Sequence, residues 1–346
     1  MSSYAGASAR IPAVTILLLI IAFAVILAGC ELFVNGIEWF GRKLDLGEGA
    51  VGSVLAAVGT ALPETVIPLI AILIHRGDAG KEIGIGAILG APFMLATLAC
   101  FVCGLAVVIF AFMKKRDLKI KFNQGVMRRD LSFFLVAYAV AVFVGIVNIG
   151  VFRYAVAAGL IISYVIYVKR TLSAEGDLEG ESRSLYFHYA ADSPDLRRVV
   201  LQVLVALAAI VLGADLFVRE LTSVAQSLGV PALVISLLLT PLATELPEKF
   251  NSVAWMWQKK DTLALGNITG AMVFQSTFPV SVGLVFTTWR LDAGGDWHGL
   301  LAAGLALASG ILLYVRLRFF KGFGVVSLLF GGLLYTAFVV VTLLTI

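Results

Sequence analysis

Ten separate stretches of this chain are apolar for long enough to cross a lipid bilayer, at about 11–34, 50–74, 83–112, 130–147, 150–168, 197–218, 229–257, 262–288, 299–317 and 323–345. A helix needs roughly 20 apolar residues to span the hydrocarbon core. Only helices and closed barrels satisfy every backbone polar group there, and runs of this length are helical. The expected fold is an all-α integral membrane protein of about ten transmembrane helices. Composition leaves no soluble alternative: 60% of the residues are hydrophobic and 14% are charged, where soluble domains carry about 25% charged. The first run is longer than the apolar region of a cleaved signal, so it reads as a retained span. The third is long enough to be tilted or kinked. Trp39, Trp255, Trp257, Trp289 and Trp297 lie near run ends, where aromatic belts form.

Charge gives orientation and excludes other classes. Lysine and arginine number 26 against 22 acids, a formal net charge of +4, too small and scattered for nucleic-acid binding. The odd-numbered connections and adjoining run ends hold 19 of these cations and the even-numbered ones and the amino terminus 6, with Lys249 deep inside a run. That bias predicts a plasma (inner) membrane protein with both termini outside and the odd loops in the cytoplasm. The three cysteines sit in apolar stretches and make no disulfide framework. No HExxH, GxSxG, P-loop or strand-to-helix GxGxxG occurs, and no nucleophile–base set points to an enzyme. No tandem filter sequence suggests a channel.

The longest polar stretch, 169–198, holds Glu175, Asp177, Glu179, Glu181, Asp192 and Asp195. It lacks the spacing of an EF-hand loop and reads as a solvated cytoplasmic linker between residues 1–168 and 199–346. Five runs precede it and five follow. A shift of 184 residues aligns GCELFV (29–34) with GADLFV (213–218), and GTALPE (59–64) with ATELPE (243–248). A shift of 180 aligns GAILGA (86–91) with GNITGA (266–271). An odd number of spans per half inserts the halves in opposite orientation, giving two inverted five-helix repeats, a transporter architecture with its site at the midplane. The identities fall on polar and helix-breaking residues rather than on leucines, which favours function over mere ancestry.

Glu64 and Glu248 fall near the middle of the second and seventh runs. A carboxylate at bilayer depth is costly, by about 2.5 kcal/mol or more, and by default marks a functional site. A partner lysine or a helix-end position would be the plain structural explanation, but Glu64 has no cation in its own run. Each glutamate follows a proline, Pro63 or Pro247, which lacks the amide proton and frees the carbonyl four residues earlier, at Gly59 or Ala243. Thr60 and Thr244 lie four residues before the glutamates, on the same helical face. Carboxylate, hydroxyl and carbonyl are hard oxygen donors suited to calcium or, for the neutral ones, sodium. No His or Cys cluster favours zinc or copper.

The two segments GTALPE and ATELPE, each preceded by a G-x-[DE]-L-F-V span end, resemble the paired alpha-repeats of the cation/calcium exchanger superfamily, most nearly its sodium/calcium exchanger branch. The resemblance covers most of both halves. It implies that Glu64 and Glu248 ligate the ion, that Thr60 and Thr244 add oxygens, and that the carbonyls of Ala57 and Pro241 contribute. It also implies alternating access in which two gating helices slide past a core bundle. The motif serine is replaced by Ala61 in one repeat and by Glu245 in the other. Places where the family carries Asn or Asp two residues beyond G-[AS] hold Pro92 and Met272. Asn267 survives from the family's Gly-Asn pair, with Ala87 at the matching place in the first half. Gln275 stands where an amide often follows the phenylalanine and is a substitute ligand.

Two readings of Glu245 follow. As a ligand it restores the acid lost at Met272; as a partner it neutralises Lys249, four residues on, in the favoured Glu-before-Lys order. In a hybrid of the two, Lys249 stands where a coupling cation would otherwise bind. Cys100 and Cys103 read as packing residues, Gly86 and Gly90 as a close helix approach, and Pro68, Pro279 and Asn148 as kinks or turns. Glu31 and Asp215 are placed near cytoplasmic span ends, and His75, His188 and His298 in loops or at helix ends. The expected function is secondary antiport of calcium or a similar hard cation against sodium or protons. The expected partners are inorganic cations and lipid, with no cofactor and no nucleic acid, and a monomer is compatible with the sequence. The opposing reading is a divergent membrane scaffold with an eroded ion site.

Overall fold

The computed structural model describes residues 11–43, 62–75, 77–172, 184–188, 194–291, 297–320 and 322–346, and among these every regular element is helical. The helices are α1 (Ala13–Lys43), α2 (Leu62–Leu73), α3 (Asp78–Met94), α4 (Cys100–Phe112), α5 (Gln124–Val147), α6 (Arg153–Leu172) and α7 (Leu196–Leu228). They continue with α8 (Ala232–Thr244), α9 (Leu246–Trp257), α10 (Asp261–Phe286), α11 (Trp297–Phe319) and α12 (Val325–Thr345). Eight helical segments are long and apolar enough to cross a membrane, with Leu62–Leu73 and Ala232–Thr244 as shorter apolar helices. One of the eight, Asp78–Phe112, is α3 and α4 joined through a π-helical turn at Leu95–Ala99. The Thr97 hydroxyl donates to the Phe93 carbonyl at 2.5 Å in that turn, a bond that competes with the helical ladder and bends it.

Buried apolar side chains form two clusters. The smaller joins α1, α2 and α7 through Ile26, Phe33, Ile67, Ile210, Phe217 and Leu221. The larger holds the remaining spans together around Leu89, Phe93, Phe134, Met272, Val273 and Phe338. Helices α1 and α7 meet over an extended face, and close approach there needs glycine. A Cβ at Gly29 would lie 2.8 Å from Ile210 Cγ1, and one at Gly213 would lie 2.9 Å from Ile26 Cγ1. Helices α3 and α8 pack in the same manner: a Cβ at Gly86 would meet the Leu233 carbonyl at 2.5 Å, and one at Gly90 would collide with the Leu237 carbonyl. Removing side chains lets backbones touch where lipid supplies no hydrophobic drive for association. The Ser236 hydroxyl ties the same pair, donating to the Ile83 carbonyl at 2.7 Å.

Polar clamps fix the loops. The Arg116 guanidinium straddles Asp261, with Nη1–Oδ1 at 2.8 Å and Nη2–Oδ2 at 2.9 Å, and Nη1 also donates to the Met256 carbonyl. This fastens the α4–α5 connection to the turn between α9 and α10. Residues 184–188 of the linker lie against α1 and α7: Asn35 Nδ2 donates to the Ser184 carbonyl, and Phe187 N–H donates to Gln202 Oε1. Tyr186 Oη donates to Glu31 Oε1 at 2.8 Å, so this part of the expected solvated linker is docked.

Two expectations need correction. Trp289 is not a belt residue: it is 1% exposed, its indole N–H donating to the Ala141 carbonyl. It packs over Gly283, where a Cβ would lie 2.5 Å from its ring. Asp215 cannot share a cytoplasmic face with Glu31 while His75 faces outward, because His75 Nε2 and Asp215 Oδ1 are 2.8 Å apart. In a helix of 33 residues, Asp215 is 19 positions beyond Leu196, so α7 carries it toward the end opposite its start.

Candidate ion site

The second motif breaks its helix. After Ala232–Thr244 the chain turns at Glu245, φ −88° and ψ 7°, and a new helix begins at Leu246 with Pro247 in its first turn. Proline lacks the N–H that would continue the ladder, while its fixed φ suits a helix start. Glu248 therefore lies in the first turn of α9, at the positive end of the helix dipole. The seventh apolar run is thus two half-helices, and Glu248 sits at a helix end inside the bundle rather than in mid-helix. Glu64 is near the beginning of the described part of α2. Of the first motif, Ala57, Gly59, Thr60 and Ala61 lie outside the described residues.

Burial is nearly complete at the acids. Relative exposure is 5% for Glu64, 1% for Glu245 and 9% for Glu248. Glu64 Oε2, Glu245 Oε1 and Glu248 Oε2 are buried without a hydrogen-bond partner among the described residues. Buried polar atoms are ordinarily satisfied, so orphaned carboxylate oxygens need a reason. The three acids share one neighbourhood: Glu64 interacts electrostatically with Glu248, Glu245 and Lys249. Cys30 of α1 interacts electrostatically with Glu64 and Glu248, and Tyr335 of α12 with Glu245. Elements of both apolar clusters thus converge here. Among the described residues no three His, Cys, Asp or Glu side chains close into a metal cage.

The remaining candidates have distinct surroundings. Lys249 Nζ donates to Glu245 Oε2 at 2.9 Å, so the pairing expected for Glu245 is present while its other oxygen stays orphaned. Thr244 is buried, and the Pro241 carbonyl accepts the Glu245 N–H at 3.1 Å, which uses one of its two lone pairs. Asn267 Nδ2 donates to the Glu248 carbonyl at 3.1 Å and to Ser252 Oγ at 3.2 Å. Asn267 therefore supports α9 from behind, holding the backbone of Glu248. Gln275 is buried in α10, with Oε1 unpartnered among the described residues. Pro92 and Met272, at the degenerate positions, are buried in α3 and α10.

Sequence reasoning overlooked a second polar cluster. Asp130 of α5 accepts from Thr269 Oγ1 at 2.7 Å, from Tyr167 Oη at 3.1 Å and from Arg129 Nε at 3.2 Å. It joins α5, α6 and α10, and every carboxylate oxygen is used. An aspartate at the very start of an apolar run, with tyrosine and threonine inside two others, was the available signal.

Comparison with known proteins follows the same geometry. The chain is 24% identical over 326 residues to the inner membrane protein YrbG of Escherichia coli, covering 91% of this chain and 93% of that one. It is 25% identical over 294 residues to the sodium/calcium exchanger MaX1 of Methanosarcina acetivorans, covering 75% and 79%. In structure it resembles the crystal structure of the H+/Ca2+ exchanger CAX, with a TM-score of 0.66 and 18% identity over 95% of this chain and 86% of that one. Residues 14–172 and 198–346, which between them carry both Leu-Pro-Glu motifs and leave out most of the polar linker, match the sodium/calcium exchanger protein family, and the chain belongs to it.

Proposed function

We propose that this membrane transporter is a secondary antiporter exchanging calcium, or a similar hard cation, for sodium or protons at a site built on Glu64 and Glu248. The observation that carries this reading is the pair of buried carboxylates, each with one oxygen lacking a partner among the described residues, following matched prolines. An apolar bundle has no structural use for two such groups, whereas a cation needs them. Their neutral neighbours Thr244, Gln275 and the Pro241 carbonyl are hard donors of the same class, and Thr60 and Ala57 complete the set on the first repeat. Membership of the exchanger family, a relative named as a sodium/calcium exchanger and a structural neighbour named as an H+/Ca2+ exchanger support antiport. They leave sodium and protons as equal candidates for coupling.

The inverted-repeat reading has its own support. Gly29 opposes Ile210 and Gly213 opposes Ile26, and each pair maps onto the other under the same shift of 184 residues. Such reciprocity is the mark of a two-fold relation between halves. With α2 and the α8–α9 pair standing for the second and seventh runs, the architecture is ten spans, five in residues 1–168 and five in 199–346. The separation of α1 and α7 from the larger cluster supports alternating access by movement of that pair. The orientation follows from the 19 cations of the odd loops.

The test is cation flux into proteoliposomes, with sodium and proton gradients applied separately. Calcium uptake driven by either gradient, and lost in Glu64→Gln and Glu248→Gln, is the expected result. Flux indifferent to both substitutions removes the midplane site, and no flux with any ion favours a scaffold.

A further inference from the structure

We propose that the Lys249 ammonium is a built-in cation of this site, replacing one monovalent coupling ion, so that one divalent cation exchanges for two monovalent ones without net charge movement. The proposal rests on the reading of Glu64 and Glu248 as ion ligands.

Among the described residues the buried cations are Arg116 and Lys249. Arg116 is fully engaged by Asp261 and by the Met256 and Lys119 carbonyls. Lys249 is 6% exposed, and its hydrogen bond among the described residues is the one to Glu245 Oε2. An ammonium has three N–H donors, so its capacity exceeds what Glu245 takes. Stability does not account for such a pair, because desolvating two charges costs about as much as their attraction returns. Helical i,i+4 spacing from the cap of α9 lets the two side chains meet, but such a pair contributes only weakly and does not explain why it is buried.

The charges form one system. Glu64 interacts electrostatically with Glu248, Glu245 and Lys249, so three buried carboxylates and one ammonium act on one another. The groups of α1 and α12 that interact electrostatically with them are the Cys30 thiol and the Tyr335 phenol, which in their ordinary forms carry no charge at neutral pH. With all acids ionised the set carries two net negative charges. One divalent ion neutralises it, and so do two monovalent ions. Without the ammonium three charges remain, and the return step then requires three monovalent ions for each divalent one. Glu245 holds the ammonium by one oxygen and leaves the other buried and without a hydrogen-bond partner among the described residues.

The experiment measures charge moved per calcium ion in proteoliposomes of the full chain, by calcium flux under clamped membrane potentials with sodium and proton gradients in separate arms. Wild-type flux is expected to ignore the potential, at two monovalent ions per calcium. Lys249→Gln should move about one further monovalent ion per calcium and become voltage-sensitive. The pair Glu245→Gln/Lys249→Gln should return to voltage-insensitive exchange at reduced rate, and Glu245→Gln alone should weaken calcium binding at least tenfold. Wild-type flux that carries net charge overturns the proposal without any variant, so a misfolded Lys249→Gln does not shelter it. A Lys249→Gln protein with wild-type stoichiometry overturns it too. In both cases Glu64→Gln still abolishes flux if the ion site itself is right; a wild-type protein that moves no calcium removes the site and this proposal together.

Discussion

Replacing Arg116 with leucine removes the guanidinium that straddles Asp261. Both side chains are almost fully enclosed, at 3% and 2% exposure, with bonds of 2.8 and 2.9 Å. The substitution leaves the Asp261 carboxylate facing the Lys121 amide, 2.8 Å away, with no counter-charge. Breaking a buried pair from one side costs about 3–5 kcal/mol, since the remaining ion is uncompensated. Removing both partners, as Arg116→Leu/Asp261→Leu, leaves the Lys121 amide unsatisfied, a loss of roughly 1–3 kcal/mol if it stays dry, while the Met256 carbonyl keeps the Lys259 N–H. The double variant should therefore be no less stable than Arg116→Leu, and a double-mutant cycle should show strong non-additivity. The assay is denaturant-induced unfolding of the purified protein in one detergent. An Arg116→Leu protein within about 1 kcal/mol of wild type, or single effects that simply add, would refute this account of the clamp.

Three further substitutions test other parts of the structure. Gly90→Val should destabilise by at least about 1–3 kcal/mol through overpacking, and should also weaken calcium binding, because its added atoms meet Leu237 and Pro241 beside the broken helix; calorimetry with calcium and thermal unfolding read the two effects. Ser236→Ala should cost about 1 kcal/mol for the bond to the Ile83 carbonyl, with calcium flux retained. Asp130→Asn removes the charge that accepts from Thr269, Tyr167 and Arg129, and should lower stability by roughly 1–3 kcal/mol while leaving the ion requirement of transport unchanged. An altered ion requirement in that variant would move Asp130 into the transport mechanism.

Where the sequence was legible, hydrophobic periodicity and rare polar residues carried the information. Eight of the apolar runs coincide with helices long and apolar enough to cross a membrane, although α1 and α7 extend well past them, and Gly86 and Gly90 marked a backbone contact that the α3–α8 interface bears out. Glu245 and Lys249, four residues apart, foretold their ion pair. Long-range partners were not legible. Arg116 reads as one loop cation among many, yet its counter-ion is 145 residues away. Trp289, next to a polar turn, resembles a belt residue until Gly283 opens space for it in the core. The break at Glu245 was foreshadowed by Pro247, but its consequence, a glutamate at the start of a half-helix, depends on how the backbone resolves the lost bond. Asn267 matched a ligand pattern, although its amide is directed to the Glu248 carbonyl and Ser252.

The central claim is that Glu64 and Glu248 hold one divalent cation between them. Calcium titration of the purified chain by calorimetry tests this most directly, with wild type beside Glu64→Gln and Glu248→Gln. The account predicts one calcium per chain, and a loss of affinity of at least tenfold in each variant, about 1.4 kcal/mol or more. Equal affinity in all three proteins would contradict it.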